Sequence, residues 1–235
     1  MNPFLDVDTL LFDMDGTLTD LGKRWWAPFF RAFEKMKPNF DEKRKKEIFE
    51  EIFTSVMKTS LGSSRLIKAT TFWRATKALD LSLFEIFKAL KLVKNDPLAF
   101  KEVVPLEGVE NILEQLHSRG YKLALVTSAG DKTVNIAKNK LKVLNSFDFI
   151  VTRNTVKRIK PNPDSLLLVC KELNKKPESC AMIGDSPQDI QAGKAAGTKT
   201  VAILGVNGKY TKDILVQLKP DVLLESIHEL PELFS

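Results

Sequence analysis

Thr9-Leu-Leu-Phe12 is an unbroken apolar run that stops at a carboxylate, Asp13, and is followed by Gly16. A run this short, ending on turn chemistry, is the pattern of a buried β-strand. Over roughly residues 21–95 the spacing then changes. Apolar positions recur at helical intervals, as in Trp26, Phe29, Phe30 and Phe33, and again in Ile48, Ile52, Phe53 and Val56. Turn signals at Pro38-Asn39, Leu61-Gly-Ser-Ser64 and Asp80-Leu-Ser82 divide this stretch into four predicted helices and no strand.

From about residue 100 onward, helix and strand patterns alternate. Helices are predicted over 107–118 (closed by Gly120), 131–140, 163–173 and 188–196 (ended by Gly197). Strands are predicted over 122–127, 147–151, 180–183, 200–204 and 222–224. Strands separated by helices of this length imply a parallel sheet covered on both faces. The predicted fold is therefore α/β, a Rossmann-like three-layer core made of residues 1–18 and 100–235. A four-helix domain, 19–99, is inserted after the first strand.

Composition narrows the class. Among 235 residues, 43% are hydrophobic and 28% charged, the balance of a globular chain. No apolar run is long enough to span a bilayer, and the start lacks the basic and apolar regions of a secretory signal. Cys170 and Cys180 are the only cysteines, without metal-ligand spacing. A cytoplasmic protein with reduced thiols is expected. Residues 20–100 carry 17 Lys/Arg against 10 Asp/Glu, so the net +6 charge resides in the inserted segment. Such a surplus suits either nucleic acid or a small anion drawn into a cleft. The Lys43-Arg-Lys-Lys46 run is interleaved with glutamates and reads as a solvated helix face.

Ligands of open parallel sheets sit beyond the carboxyl ends of the strands, and four such ends carry polar residues. Asp13-Met-Asp15-Gly16-Thr17 sets two carboxylates two residues apart, which repel unless a cation or proton lies between them. Hard cations such as Mg²⁺ prefer such oxygens and also bind phosphates. Thr127-Ser128-Ala129-Gly130 opens a helix, and hydroxyls with free N–H groups there suit a phosphate-sized anion. Lys160-Pro-Asn-Pro163 holds a cation on a stiff segment, and Gly184-Asp185-Ser186-Pro187-Gln188-Asp189 adds two more acids. Together they suit a metal and a phosphoryl group sharing one centre.

The order Asp-x-Asp-Gly-Thr, strand–Thr/Ser, Lys-Pro-x-Pro, Gly-Asp-Ser-x-x-Asp resembles the haloacid dehalogenase superfamily, from Leu10 to about Asp189. The helical insertion resembles its helical-cap members, which include phosphoglycolate phosphatase-like enzymes and β-phosphoglucomutase. The resemblance implies a Mg²⁺-dependent phosphatase working through an aspartyl-phosphate, with a small phosphorylated metabolite as substrate. Asp13 would attack phosphorus, and Asp15 would protonate the leaving group and then activate water. Thr127, with Ser128 beside it, would hold the phosphoryl oxygens, and Lys160 would neutralise charge on Asp13 and the phosphate. Asp13, Asp15, Asp185 and Asp189 would hold the metal. Ser128-Ala-Gly departs from relatives that carry Asn or a second polar residue there. Leu61-Gly-Ser-Ser-Arg65 resembles a cap loop that meets the active site, making Arg65 a candidate for a second anionic group.

Other readings compete. A phosphomutase could use the same scaffold. A dehalogenase would need neither Asp15 nor Asp185, and a binding protein could use the basic cap on nucleic acid without needing any of the acids. Asp13 and Asp15 could cap a turn, Thr127 and Ser128 could cap a helix, and Lys160, Asp189 and Arg65 could be surface charges. His117 and His228 lie away from the strand ends and read as structural or exposed. A monomer or homodimer without membrane contact is expected, with nucleic acid the lesser reading.

Overall fold

A computed structural model describes residues 4–37, 41, 43, 47, 81–98, 101–205 and 208–235 of the chain. The chain divides into two compact units, one of residues 1–20 with 103–235 and the other of residues 21–102.

The first unit is built on six parallel strands: β1 (Thr9–Phe12), β2 (Lys122–Val126), β3 (Phe149–Val151), β4 (Cys180–Gly184), β5 (Lys199–Ile203) and β6 (Val222–Leu224). Their order across the sheet is β3-β2-β1-β4-β5-β6. The chain winds outward from β1 to β3, returns to β4 on the other side, and winds outward again. The reversal between β1 and β4 is a topological switch point, where a crevice opens beyond the strand ends. Asp13 leaves the sheet there, its N–H still donating to the Ile183 carbonyl at 2.9 Å.

Alternation along the strands sorts the core into two faces. Leu10, Phe12, Leu123, Leu125, Ala181 and Ile183 pack together on one face with Val109, Ile112, Leu113 and Leu116 of a helix, Val109–Ser118. Leu11, Ala124, Val126 and Met182 pack on the other with Leu166, Val169 and Cys170 of the helix Asp164–Glu172. Ala192 and Ala196 of the helix Pro187–Ala196 join that second face. Apolar residues on both faces of every central strand explain why those strands read as continuous hydrophobic runs rather than alternating ones.

The predicted elements of this unit are present, with ends moved by a residue or two. The exception is a helix over Gly208–Gln217 and a single turn at Leu230–Leu233, which the apolar spacing had not revealed. In the former, Thr211 and Leu215 are buried, so one face of a polar segment docks and little periodicity results. The two cysteines meet: their sulfurs are 3.7 Å apart, buried and unbridged. His117 and His228 are exposed.

In the second unit, the described helices are α1 (Ala27–Met36) and α2 (Leu83–Lys94), with a wider π-turn, Gly22–Trp26, leading into α1. Ser82 and Glu85 form a reciprocal cap on α2: the Glu85 N–H donates to Ser82 Oγ and the Ser82 N–H to Glu85 Oε2. Arg31 bridges Asp96 and Glu102 at 2.8 and 2.9 Å. The other helices predicted for the insertion, and Arg65, lie outside the described residues. Among the described residues no helix is long and apolar enough to cross a membrane.

Candidate active site

The first motif folds back on itself immediately after β1. Met14 O accepts from the Leu18 and Thr19 N–H groups and from the Thr19 hydroxyl, and the Gly16 N–H donates to Thr19 O at 2.7 Å. Gly16 adopts φ +97°, and a Cβ there would lie 2.0 Å from Asp185 Oδ2. Glycine is thus required twice, for the left-handed turn and for the approach of an acid from β4. Asp15 is half-buried and accepts from the Thr19 hydroxyl at 3.4 Å.

Three acids converge with Lys160. Asp13, Asp185 and Asp189 each offer a carboxylate oxygen, all within 4.8 Å of one another and all buried. The Lys160 ammonium donates to Asp13 Oδ1 at 2.7 Å, to Asp189 Oδ1 at 2.5 Å and to the Val126 carbonyl at 2.9 Å. An ammonium has three protons, so Lys160 is saturated by this triangle. Both oxygens of Asp189 are engaged, with one acceptor site of Oδ1 left over. Its Oδ2 accepts from the Ser186 N–H and hydroxyl at 3.0 and 2.6 Å, a cap on the helix that starts at Pro187. A Cβ on Gly184 would stand 2.3 Å from the Asp189 Cγ, so a second glycine makes room for an acid. Asp185 receives the Thr17 hydroxyl at 3.2 Å.

Electrostatics set these groups against one another. Burial pushes the Asp13 carboxyl up to about 7; Lys160 pulls it back, while the charges of Asp189 and Asp15 add to the rise. Asp185 is raised well above the carboxylate range, first by burial and then by Asp13 and Asp189. Burial disfavours the Lys160 ammonium, but Asp13 and Asp189 outweigh it and hold its proton above the lysine range. Three carboxylates with one ammonium leave two negative charges uncompensated when all are ionised. A divalent hard cation fits that donor set and that charge.

The second motif stands at the end of β2, next to β1 in the sheet. Thr127 is tied to β3 through Val151 O, and its Oγ1 accepts from the Ala129 N–H at 3.0 Å. Gly130, without a side-chain cap, precedes the helix Asp131–Lys140. The cap reading of Thr127 and Ser128 is therefore not what is seen. Among the described residues the Ser128 and Gly130 N–H groups donate to nothing, which leaves them open to an anion.

The sequence-predicted Asp13, Lys160, Asp185 and Asp189 thus come together, with Asp15, Thr127 and Ser128 on adjoining turns. Thr17 and Ser186 contribute contacts that the sequence reading quoted but did not assign. The spacing Ser186-x-x-Asp189 is that of a capping box, and was the available signal.

The same residues lie within a match to the family of haloacid dehalogenase-like hydrolases that spans residues 10–203. The chain belongs to this family. It is a hydrolase. Among curated relatives, pyrophosphatase PpaX of Halalkalibacterium halodurans is 30% identical over 96% of each chain. PpaX of Bacillus thuringiensis is 27% identical over 98% of each. Among solved structures, one described as a predicted phosphoglycolate phosphatase from Haemophilus somnus superposes with a TM-score of 0.70 at 19% identity, covering 98% of this chain and 99% of the other. A haloacid dehalogenase-superfamily hydrolase of Geobacter sulfurreducens superposes at 0.67 and 18% identity, covering 98% and 97%. At such identities the superpositions establish the fold.

Proposed function

We propose that this hydrolase is a Mg²⁺-dependent phosphatase that forms an acyl phosphate, an aspartyl-phosphate, on Asp13. The observation that carries the reading is the Lys160 triangle. It holds Asp13 Oδ1 and leaves Asp13 Oδ2 without a donor among the described residues, as an attacking oxygen requires. Asp13 takes the phosphoryl group, and Asp15 delivers a proton to the departing oxygen. Asp15 then removes a proton from the water that releases phosphate. Thr127 and the Ser128 N–H cradle the phosphoryl oxygens, and Lys160 offsets charge gathering on Asp13. Asp13 and Asp185, with the backbone of Asp15, would hold Mg²⁺. When bound it would supply positive charge to the phosphoryl oxygens and part the carboxylates. Asp189, with both oxygens engaged, acts chiefly by holding Lys160.

The substrate is a small phosphorylated compound. The name of the PpaX relatives makes inorganic pyrophosphate a candidate beside phosphoglycolate-type esters. A cytoplasmic monomer or homodimer is part of the reading. Its test is phosphate release from p-nitrophenyl phosphate, pyrophosphate and a panel of phosphorylated acids and sugars, with Mg²⁺ and with chelator. Release from at least one member that stops on chelation is expected. No release from any of them would refute the reading.

A further inference from the structure

Two threonines of the turn after β1 spend their hydroxyls differently. Thr19 Oγ1 donates to Met14 O at 3.1 Å, beside the backbone bonds that Leu18 and Thr19 make to the same carbonyl. Local bonding of this kind is the usual use of a threonine in a turn. Thr17 Oγ1 makes no such bond among the described residues. It donates instead to Asp185 Oδ1 at 3.2 Å, across 168 positions of sequence, with both residues buried.

Asp185 has more need of that proton than the other two acids. Asp13, Asp189 and the Val126 carbonyl take all three protons of Lys160, so none is left for Asp185. Among the described residues, Thr17 is the only side chain that donates to it. Gly16, next in the chain, leaves open the space around Asp185 Oδ2 that a Cβ would invade at 2.0 Å. Two adjacent residues thus seat one carboxylate, Gly16 by yielding room and Thr17 by donating. A valine would fill the place of Thr17 with nearly the same shape. Packing therefore does not call for a hydroxyl there, and a buried hydroxyl costs free energy unless it is bonded.

We propose that Thr17 is a positioning residue for the metal site, its hydroxyl fixing Asp185 in the orientation in which it shares a cation with Asp13. The inference rests on the Mg²⁺ reading above, and takes from it only that Asp13 and Asp185 hold the ion. Thr17 acts through Asp185 and takes no part in the bond exchange at phosphorus. Groups that orient a metal ligand in this way typically change metal affinity by about 10- to 100-fold when removed.

The test is calorimetric titration of metal-free protein with Mg²⁺, and thermal unfolding, for wild type, Thr17→Val, Thr17→Ser and Thr17→Ala. Thr17→Val keeps the bulk and loses the hydroxyl, whereas Thr17→Ser keeps the hydroxyl and loses the methyl. Thr17→Val is expected to raise the Kd for Mg²⁺ by about 10- to 100-fold, and Thr17→Ser to stay within about threefold of wild type. A merely structural role predicts otherwise: Tm follows the lost methyl, and Mg²⁺ affinity does not follow the hydroxyl. Thr17→Ala against Thr17→Ser compares the hydroxyl alone, and decides the matter should Thr17→Val fail to fold. Equal Mg²⁺ affinity with and without the hydroxyl would overturn the proposal. Wild type that binds Mg²⁺ but releases phosphate from no substrate would bring down the phosphatase reading, with the affinities still deciding on Thr17. Wild type that binds no Mg²⁺ would overturn both.

Discussion

The Lys160 ammonium lies 2.5 Å from Asp189 Oδ1, both sealed from solvent, and Asp189 accepts the Ser186 N–H and hydroxyl through its other oxygen. The segment after β3 and the helix after β4 are thus joined through one proton donor. Asp189 therefore fixes Lys160 toward Asp13 and also caps the helix beginning at Pro187. Removing the ammonium strands two buried carboxylates, which in buried pairs costs about 3–5 kcal/mol. Lys160→Met should lower stability by that order in urea titrations of metal-free protein, and by clearly less with Mg²⁺ present. Asp189→Asn should keep part of the cap and lose the charge pair, so that its loss falls below that of Lys160→Met. Equal stability of Lys160→Met and wild type would contradict the triangle.

Activity should vanish with EDTA and return with Mg²⁺, and the gain in Tm on adding Mg²⁺ should grow with pH. Asp13 is raised to about 7, so in metal-free protein its carboxyl is protonated below that pH. A raised acid favours the folded state at low pH, and this contribution fades as pH climbs from the unfolded value through the folded one. A cation must displace that proton at low pH and need not at high pH. Thermal unfolding from about pH 5 to about pH 8, with and without Mg²⁺, reads the difference. A gain that is flat or falls with pH would contradict the assignment.

Asp13→Asn and Asp15→Asn should fail in different ways. An amide is a poor nucleophile, so Asp13→Asn should form no phosphoenzyme in rapid-quench experiments. Asp15→Asn should retain the ability to be phosphorylated but slow both steps, by the 10²- to 10⁴-fold that a positioned proton carrier typically contributes. Turnover of Asp13→Asn near the wild-type rate would end the covalent mechanism.

Glycine substitutions should rank by what the new Cβ meets. Gly120 has φ +91° and nothing within 4 Å, so Gly120→Ala should cost only backbone strain, about 1 kcal/mol. Gly16→Ala adds a collision with Asp185 at 2.0 Å, and Gly184→Ala one with Asp189 at 2.3 Å. Both should cost more than Gly120→Ala and also weaken Mg²⁺ binding, which Gly120→Ala should leave intact. Calorimetric titration of the three variants separates the effects.

Much of this site was legible in the chain because each component sits where a strand stops. Apolar runs marked β1, β2 and β4, and the acids and hydroxyls just after them, with Lys160 on the longer segment after β3, could be assigned to the carboxyl end of the sheet. What proximity those residues reach was not legible. That Asp185 packs against Gly16, and that Asp189 is spent on Lys160 and Ser186, depends on contacts between segments far apart in sequence. The helix at Gly208–Gln217 escaped for a related reason, because one of its buried positions is a threonine, Thr211, whose burial periodicity cannot announce.

The placement of β1 has a consequence for how the protein is made. Thr9 pairs with Lys122 on one side and Cys180 on the other, so the innermost strand is synthesised first and has no neighbour nearby in sequence. Two closures of long loops must precede its full pairing, and such pairings are slow. Until β4 has emerged and docked, Leu10, Leu11 and Phe12 present an open apolar edge of the kind that invites association between chains. Asp13 then becomes competent only when the sheet is complete, so that nascent or truncated chains lacking β4 are expected to be inactive and dependent on holding chaperones. Pulse-labelled hydrogen exchange during refolding would show the amides of β1 gaining protection together with those of β4, and protection arising earlier would mean that β1 finds β2 unaided.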